Sequence, residues 1–178
     1  MLRYALIYGG LSGAIVIAVI SITLMTMGPE SAASSQMSGY AIMIVALSLV
    51  FIGVKRYRDV EQGGVISFKT GASVGVTMAA IAGIVYTIGW EAVLFATDFA
   101  FIETYSQTMI DSIKAQGLSP SEEAAKIAEI RSGMDMYRNP MFRLPITFVE
   151  IFPVGLIVAL VSALILKNPK VLPVRAAV

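Results

Sequence analysis

Gly83-Ile84-Val85-Tyr86-Thr87-Ile88-Gly89-Trp90-Glu91 closes an apolar run of about twenty residues, Gly71 to Trp90, that contains no charge. A helix of that length crosses a hydrocarbon core of roughly 30 Å. Tryptophan favours the membrane–water boundary, so Trp90 marks an end of the span and the Glu91 carboxylate stands beside that boundary. The run belongs to a span over about 69–94, and three further apolar stretches fall at about 4–27, 37–54 and 145–166. The first is longer than the apolar core of about 7–15 residues in a cleaved signal peptide, so it reads as a span. The fold expected is an all-α membrane protein, one transmembrane domain over residues 1–178. It has four transmembrane helices and an extracytoplasmic helical hairpin over about 97–140, between helices three and four.

Composition agrees with this reading. The 178 residues are 57% hydrophobic and 14% charged, against about 25% charge in soluble domains. A net charge of +1 offers no electrostatic footprint for nucleic acid. Cysteine and histidine are both absent. Disulfides, thiol nucleophiles, imidazole bases and the usual zinc and haem ligands are excluded together. The sequence also lacks a Gly-rich phosphate loop, a G-x-S-x-G elbow and a metalloprotease signature. The expectation is a non-enzymatic protein with no catalytic residue, no metal and no cofactor. The ten methionines are scattered and read as space-fillers.

The punctuation between the runs is clear. Gly28-Pro29-Glu30 ends helix one and Ser31 to Ser35 form a short polar connection. Helix two stops at Lys55-Arg56-Tyr57-Arg58-Asp59, Gly63-Gly64 marks a turn, and Ser67 caps helix three. Beyond Asp98 the pattern becomes that of an amphipathic soluble segment. Phe95, Phe99, Ile102, Met109 and Ile113 recur at near-helical spacing, and Gly117 breaks the series. Ser119-Pro120-Ser121-Glu122 has capping-box form, and Ile127, Ile130, Met134 and Tyr137 give a second arm its apolar stripe. Asn139-Pro140 closes the hairpin.

Orientation follows from lysine and arginine in the short flanks. Arg3, the loop with Lys55, Arg56, Arg58 and Lys69, and the tail with Lys167, Lys170 and Arg175 fall on one side of a four-span topology. The connection between helices one and two has none. Both termini are therefore expected in the cytoplasm. The hairpin carries more acidic than basic residues, and is expected outside. Topology already explains the basic loop of Lys55, Arg56 and Arg58; an anionic-lipid or nucleic-acid patch is the alternative reading.

Helix three carries a row of small residues at Gly71, Gly75, Ala79 and Gly83, continued by Thr87 and Glu91. Such rows let helices approach closely, as does the Gly9–Gly13 pair of helix one. A four-residue row drifts about 40° per step on a straight helix. The whole row is therefore not expected on one face, whereas Gly83, Thr87 and Glu91 are. Glu150, near the start of helix four, lies at a depth similar to Glu91. Arg143 precedes it by two turns and shares its face if helix four starts early. Glu91, Arg143 and Glu150, with Trp90 and Thr87, form a candidate site for a cation, a proton or a polar ligand. The alternative is that both glutamates pair helices near the interface, where charge costs little.

Gly53-Val54-Lys55-Arg56-Tyr57-Arg58-Asp59, Gly63-Gly64-Val65-Ile66-Ser67-Phe68, Trp90-Glu91, Asn139-Pro140 and Glu150-Ile151-Phe152-Pro153-Val154-Gly155-Leu156 follow one another along the chain. In this order they resemble a bacterial membrane family catalogued as domain of unknown function 4199. The resemblance covers nearly the whole chain and implies four transmembrane helices in an inner membrane. It brings no activity, substrate or site residue. The expected function is interaction through helices or partners, as a homo-oligomer or an accessory subunit beside another membrane protein, with the lipid bilayer as its medium. The alternative is a small oligomeric transporter or channel with Glu91 and Glu150 in a proton or cation path.

Overall fold

The computed structural model describes residues 1–27 and 36–173. The connection at 28–35 and Arg175 lie outside the described residues. Helix α1 comprises Leu2–Tyr4, a π-helical turn Ala5–Gly9, and Gly10–Met27. It is followed by α2 (Gln36–Glu61), α3 (Phe68–Ala96), α4 (Ala100–Lys114), α5 (Pro120–Arg138) and α6 (Pro140–Leu166). Among the described residues, four helices are long and apolar enough to cross a membrane: Leu2–Thr26, Met37–Glu61, Phe68–Ala96 and Pro140–Leu166.

Two bounds differ from the sequence reading, each for a local reason. Helix α2 runs on past Val54 to Glu61, so the basic stretch forms its last turns rather than its end. Lys55 pairs with Asp59 one turn on, and Gly63 and Gly64 at φ 61° and 91° make the turn that follows. Helix α6 begins at Pro140 rather than near Pro145. The Asn139 side chain accepts a hydrogen bond from the Met141 N–H at 3.0 Å, and Pro140 occupies the first helical position. The expected Ser67 cap is present, with its hydroxyl accepting from the Thr70 N–H at 3.1 Å.

Apolar burial drives helices together weakly inside a bilayer, so close packing must carry the association. The chain supplies it with small residues. A Cβ added at Gly71 would lie 3.2 Å from the Ala163 Cβ, and one at Gly75 would lie 2.9 Å from that of Ala159. On the opposite helix a Cβ at Gly155 would meet Ala79 at 2.9 Å, and Gly83 lies under the Phe148 ring. The row on α3 thus meets a matching row, Gly155, Ala159 and Ala163, on α6. All four small residues of α3 face this one partner, contrary to the drift expected on a straight helix. The reason is that ridges of residues four apart are inclined to the helix axis, and a crossing helix follows the ridge. Gly9 and Gly13 of α1 seat against the backbone carbonyls of Met78 and Ala82, again on α3. Helix α3 is therefore the centre of the bundle, around a core that includes Val16, Leu47, Val50, Val74, Met78 and Ile151.

The segment after α3 turns sharply. Asp98 and Phe99 adopt left-handed φ values of 50° and 58°, a conformation that costs non-glycine residues free energy. Helices α4 and α5 then pair as a hairpin. The capping box at Ser119 and Glu122 is formed in both directions. Hydrogen bonds from Ser119 hold the exposed Glu122 carboxyl below the usual carboxylate range. A second apolar cluster, Trp90, Leu94 and Ile102, joins the hairpin to the ends of α1 and α3.

At the opposite end of the bundle, Arg58 is wholly buried. Its guanidinium donates to the carbonyls of Val171 at 2.9 Å and Leu172 at 2.6 Å, and to Asp59 Oδ1 at 2.8 Å. Of the three basic residues expected on this surface, Arg58 clasps the chain's own tail, Lys55 is engaged by Asp59, and Arg56 is exposed.

Candidate ligand chamber

The early start of α6 puts Arg143 in its first turn, buried and aimed at α3. Its Nε donates to Glu91 Oε1 at 2.6 Å and its Nη2 to Glu91 Oε2 at 2.7 Å, a bidentate pair. The Nη1 group donates to the carbonyls of Tyr137 at 3.1 Å and Arg138 at 3.0 Å. Those carbonyls end α5, where the helix dipole favours a cation. The Phe99 and Tyr137 rings lie 5.3 and 5.9 Å from the guanidinium carbon. One side chain therefore ties α3, the end of α5 and the start of α6 together. It also holds the left-handed turn at Phe99. Lysine could not do this, because the arrangement uses the planar fork of the guanidinium.

Glu150 takes a different course. Its one hydrogen bond among those described is a long one, from the Tyr86 hydroxyl to Oε2 at 3.4 Å. No basic side chain among the described residues forms an ion pair with it. The predicted trio is thus divided: Glu91 and Arg143 come together, and Glu150 stands apart beside Tyr86. Thr87 is buried and donates to the Gly83 carbonyl of its own helix at 2.8 Å, so it serves neither carboxylate.

Glu150 lines a chamber of about 430 Å³ beneath the hairpin, reached by all six helices. Its walls carry Tyr40, Tyr86, Trp90, Phe101, Tyr105 and Tyr137. Four of the aromatic groups, Trp90, Phe101, Tyr105 and Tyr137, are linked to one another. The Trp90 indole N–H donates to the Tyr137 hydroxyl at 2.8 Å, which lies 3.5 Å from the Thr147 hydroxyl. The Trp90 and Phe101 rings meet edge to face at 5.0 Å, and Phe101 stacks on Tyr105 at 5.5 Å. Burial pushes the Tyr137 phenol above its ordinary value, so it remains protonated around neutrality. Among the described residues, no three acidic, cysteine or histidine side chains gather to hold a metal ion. Among the described residues, the chamber joins six aromatic rings and several aliphatic side chains to a single carboxylate.

Of these residues, Trp90 and Glu150 were legible as candidates from the sequence; Tyr40, Tyr86, Phe101 and Tyr105 were not. One signal did exist: Tyr86 and Trp90 are four residues apart and share a face of α3. Tyr137 was read only as part of an apolar stripe.

The family model described as "Protein of unknown function (DUF4199)" matches residues 3–168. This chain belongs to the DUF4199 family. No curated protein and no solved structure matches it. Membership agrees with the resemblance carried by the basic loop, Trp90-Glu91 and Glu150-x-x-Pro153. In this DUF4199 chain those motifs have separate tasks. The last turns of α2 hold the tail through Arg58, Glu91 anchors Arg143, and Glu150 opens on the chamber.

Proposed function

We propose that this DUF4199 protein is a non-enzymatic, ligand-binding protein of a bacterial inner membrane. In this reading both termini are cytoplasmic and the α4–α5 hairpin covers an outward-opening chamber. The protein acts as an oligomer or an accessory subunit that reports occupancy to a membrane partner. The observation that carries the reading is the chamber itself: a concave space lined by aromatic and aliphatic side chains, with one carboxylate that has no basic partner among the described residues. Such spaces are the usual form of small-molecule sites. The orientation rests on the basic flanks, which stand at the end of the bundle away from the hairpin.

Two observations weigh against a proton or cation path through Glu91 and Glu150. Glu91 is already neutralised by Arg143. Farther from the hairpin, the bundle is filled by Leu47, Met78 and Ile151, each 3% exposed or less, with the α3–α6 seam closed beside them. That seam also occupies the small-residue row, so a second copy would have to use another face. The apolar outer face of α6, with Ile157, Val161 and Leu164, is open for it.

The lack of native cysteine makes the test clean. In intact cells, Thr23→Cys on the chamber wall should react with a small, charged, membrane-impermeant thiol reagent. Ser162→Cys, buried in the bundle, should not. Reaction of Thr23→Cys only after the inner face is exposed would reverse the proposed orientation, and no reaction from either side would remove the open chamber.

A further inference from the structure

We propose that the chamber binds an organic ammonium ion bearing apolar substituents, with a trimethylammonium-type head as the best fit; this rests on the chamber being an open ligand site. Three features point to this chemistry. The walls present aromatic rings from four different helices, and ring faces attract cations whose charge is spread over methyl groups. The one carboxylate, Glu150, has no basic partner among the described residues, while its neighbour Glu91 does. Glu150 is exposed to a space lined by rings and aliphatic side chains, and a bound cation there supplies the counter-charge that no described side chain gives it. The third feature is what is lacking. An anion would meet no free cation among the described residues lining the chamber, and the nearby Arg143 is consumed by Glu91 and two carbonyls. Among the described residues a divalent metal would find a single carboxylate where it needs several oxygen ligands.

The hydrogen bonds on the walls sharpen the selection. Trp90 spends its N–H on Tyr137, so the indole offers the chamber its ring rather than a donor. Tyr86 directs its hydroxyl to Glu150. A quaternary ammonium has no N–H to donate and demands no acceptor beyond the carboxylate's field, so it leaves these bonds intact. A volume of about 430 Å³ exceeds a trimethylammonium group, leaving room for an attached chain or ring. The same head occurs on free solutes and on choline lipids, and the chemistry recognised is common to both.

Trp90 is the only tryptophan and lines the chamber, so its fluorescence reads occupancy directly. The full-length protein would be placed in phosphatidylglycerol nanodiscs, which carry no ammonium head. It would then be titrated with benzyltrimethylammonium and choline, and with 3,3-dimethylbutanol as choline's neutral isostere. The expected result is a saturable change with both cations and none with the isostere. Glu150→Gln should weaken binding by about tenfold or more. Tyr105→Leu should weaken it several-fold and serves alone if Glu150→Gln is not recovered folded. Glu122→Gln, on the far side of the hairpin, should bind as the parent does. Repeating the titration in phosphatidylcholine nanodiscs separates the sources: suppressed binding assigns the site to a lipid head, and unchanged binding assigns it to a free solute. Equal response to the isostere, or full affinity in Glu150→Gln, overturns the cation while leaving an open chamber. No response to any probe, with Thr23→Cys still labelled, also overturns the cation. Failure of Thr23→Cys to label removes the chamber and the cation with it.

Discussion

Arg143 and Glu91 show how one side chain can decide a local architecture. The guanidinium is buried, yet four of its donors are used, two on a carboxylate and two on the carbonyls ending α5. A buried ion pair gives little net stability against a well-packed apolar pair, because desolvation offsets the attraction. Removing one partner is another matter. Arg143→Met leaves Glu91 without its cation, the α5 carbonyls without a donor, and the Phe99 turn without its cover. It should cost about 3–5 kcal/mol, measured as loss of folded protein on denaturant titration in detergent. Glu91→Gln should cost less, because Glu91 keeps partial exposure at 28%. The double change Glu91→Leu with Arg143→Met should recover part of the loss. A double variant as unstable as the sum of the singles would show that the two residues do not act as a unit.

Elements in this protein are joined by small residues, and glycine has opposite consequences in different helices. Gly75 of α3 lies against Ala159, where a new Cβ would sit 2.9 Å from the Ala159 Cβ. Gly133 of α5 faces open space on an exposed helix surface, with nothing within 4 Å of a new Cβ. Gly75→Ala should therefore push α3 and α6 apart and destabilise the bundle by about 1–3 kcal/mol. Gly133→Ala should stabilise the hairpin by about 0.5–1 kcal/mol, through the helix propensity of alanine. Melting temperatures of the two variants should move in opposite directions. A stabilising Gly75→Ala would mean that the seam is looser than its spacing indicates.

The whole molecule is a four-helix bundle with a device at each end: the Arg143 tie under the hairpin and the Arg58 clasp on the tail. Arg58 reaches 113 residues along the chain to Val171, linking the last turns of α2 to the segment after α6. Arg58→Gln should release that segment, so that trypsin added to inverted membrane vesicles cuts at Lys167 and Lys170 several times faster than in the parent. An unchanged cleavage rate would mean that the tail is held by other contacts.

Span number, hairpin, capping box, Ser67 cap and membership of the family were all legible in the sequence. Each depends on the order of residues within a single segment. An apolar run of twenty residues has few other fates, and Ser-Pro-Ser-Glu builds its cap from four neighbours. Arg143 could be suspected of meeting Glu91, since two turns separate it from Glu150 and both border the same interface. What could not be read was the choice between the two glutamates, because the order of residues puts both at a similar expected depth with the same arginine in reach. Tertiary structure made that choice. The α3–α6 seam sets the rotation of the two helices about their axes, giving Arg143 to Glu91 and turning Glu150 toward Tyr86. The aromatic chamber was hidden for the same reason: its rings come from α2, α3, α4 and α5, and nothing within one helix records which faces the others will present. The sequence by itself determined the helices and their caps through local hydrophobicity and hydrogen bonding. Only packing, residue against residue across helices, determined which carboxylate anchors Arg143 and which faces the chamber.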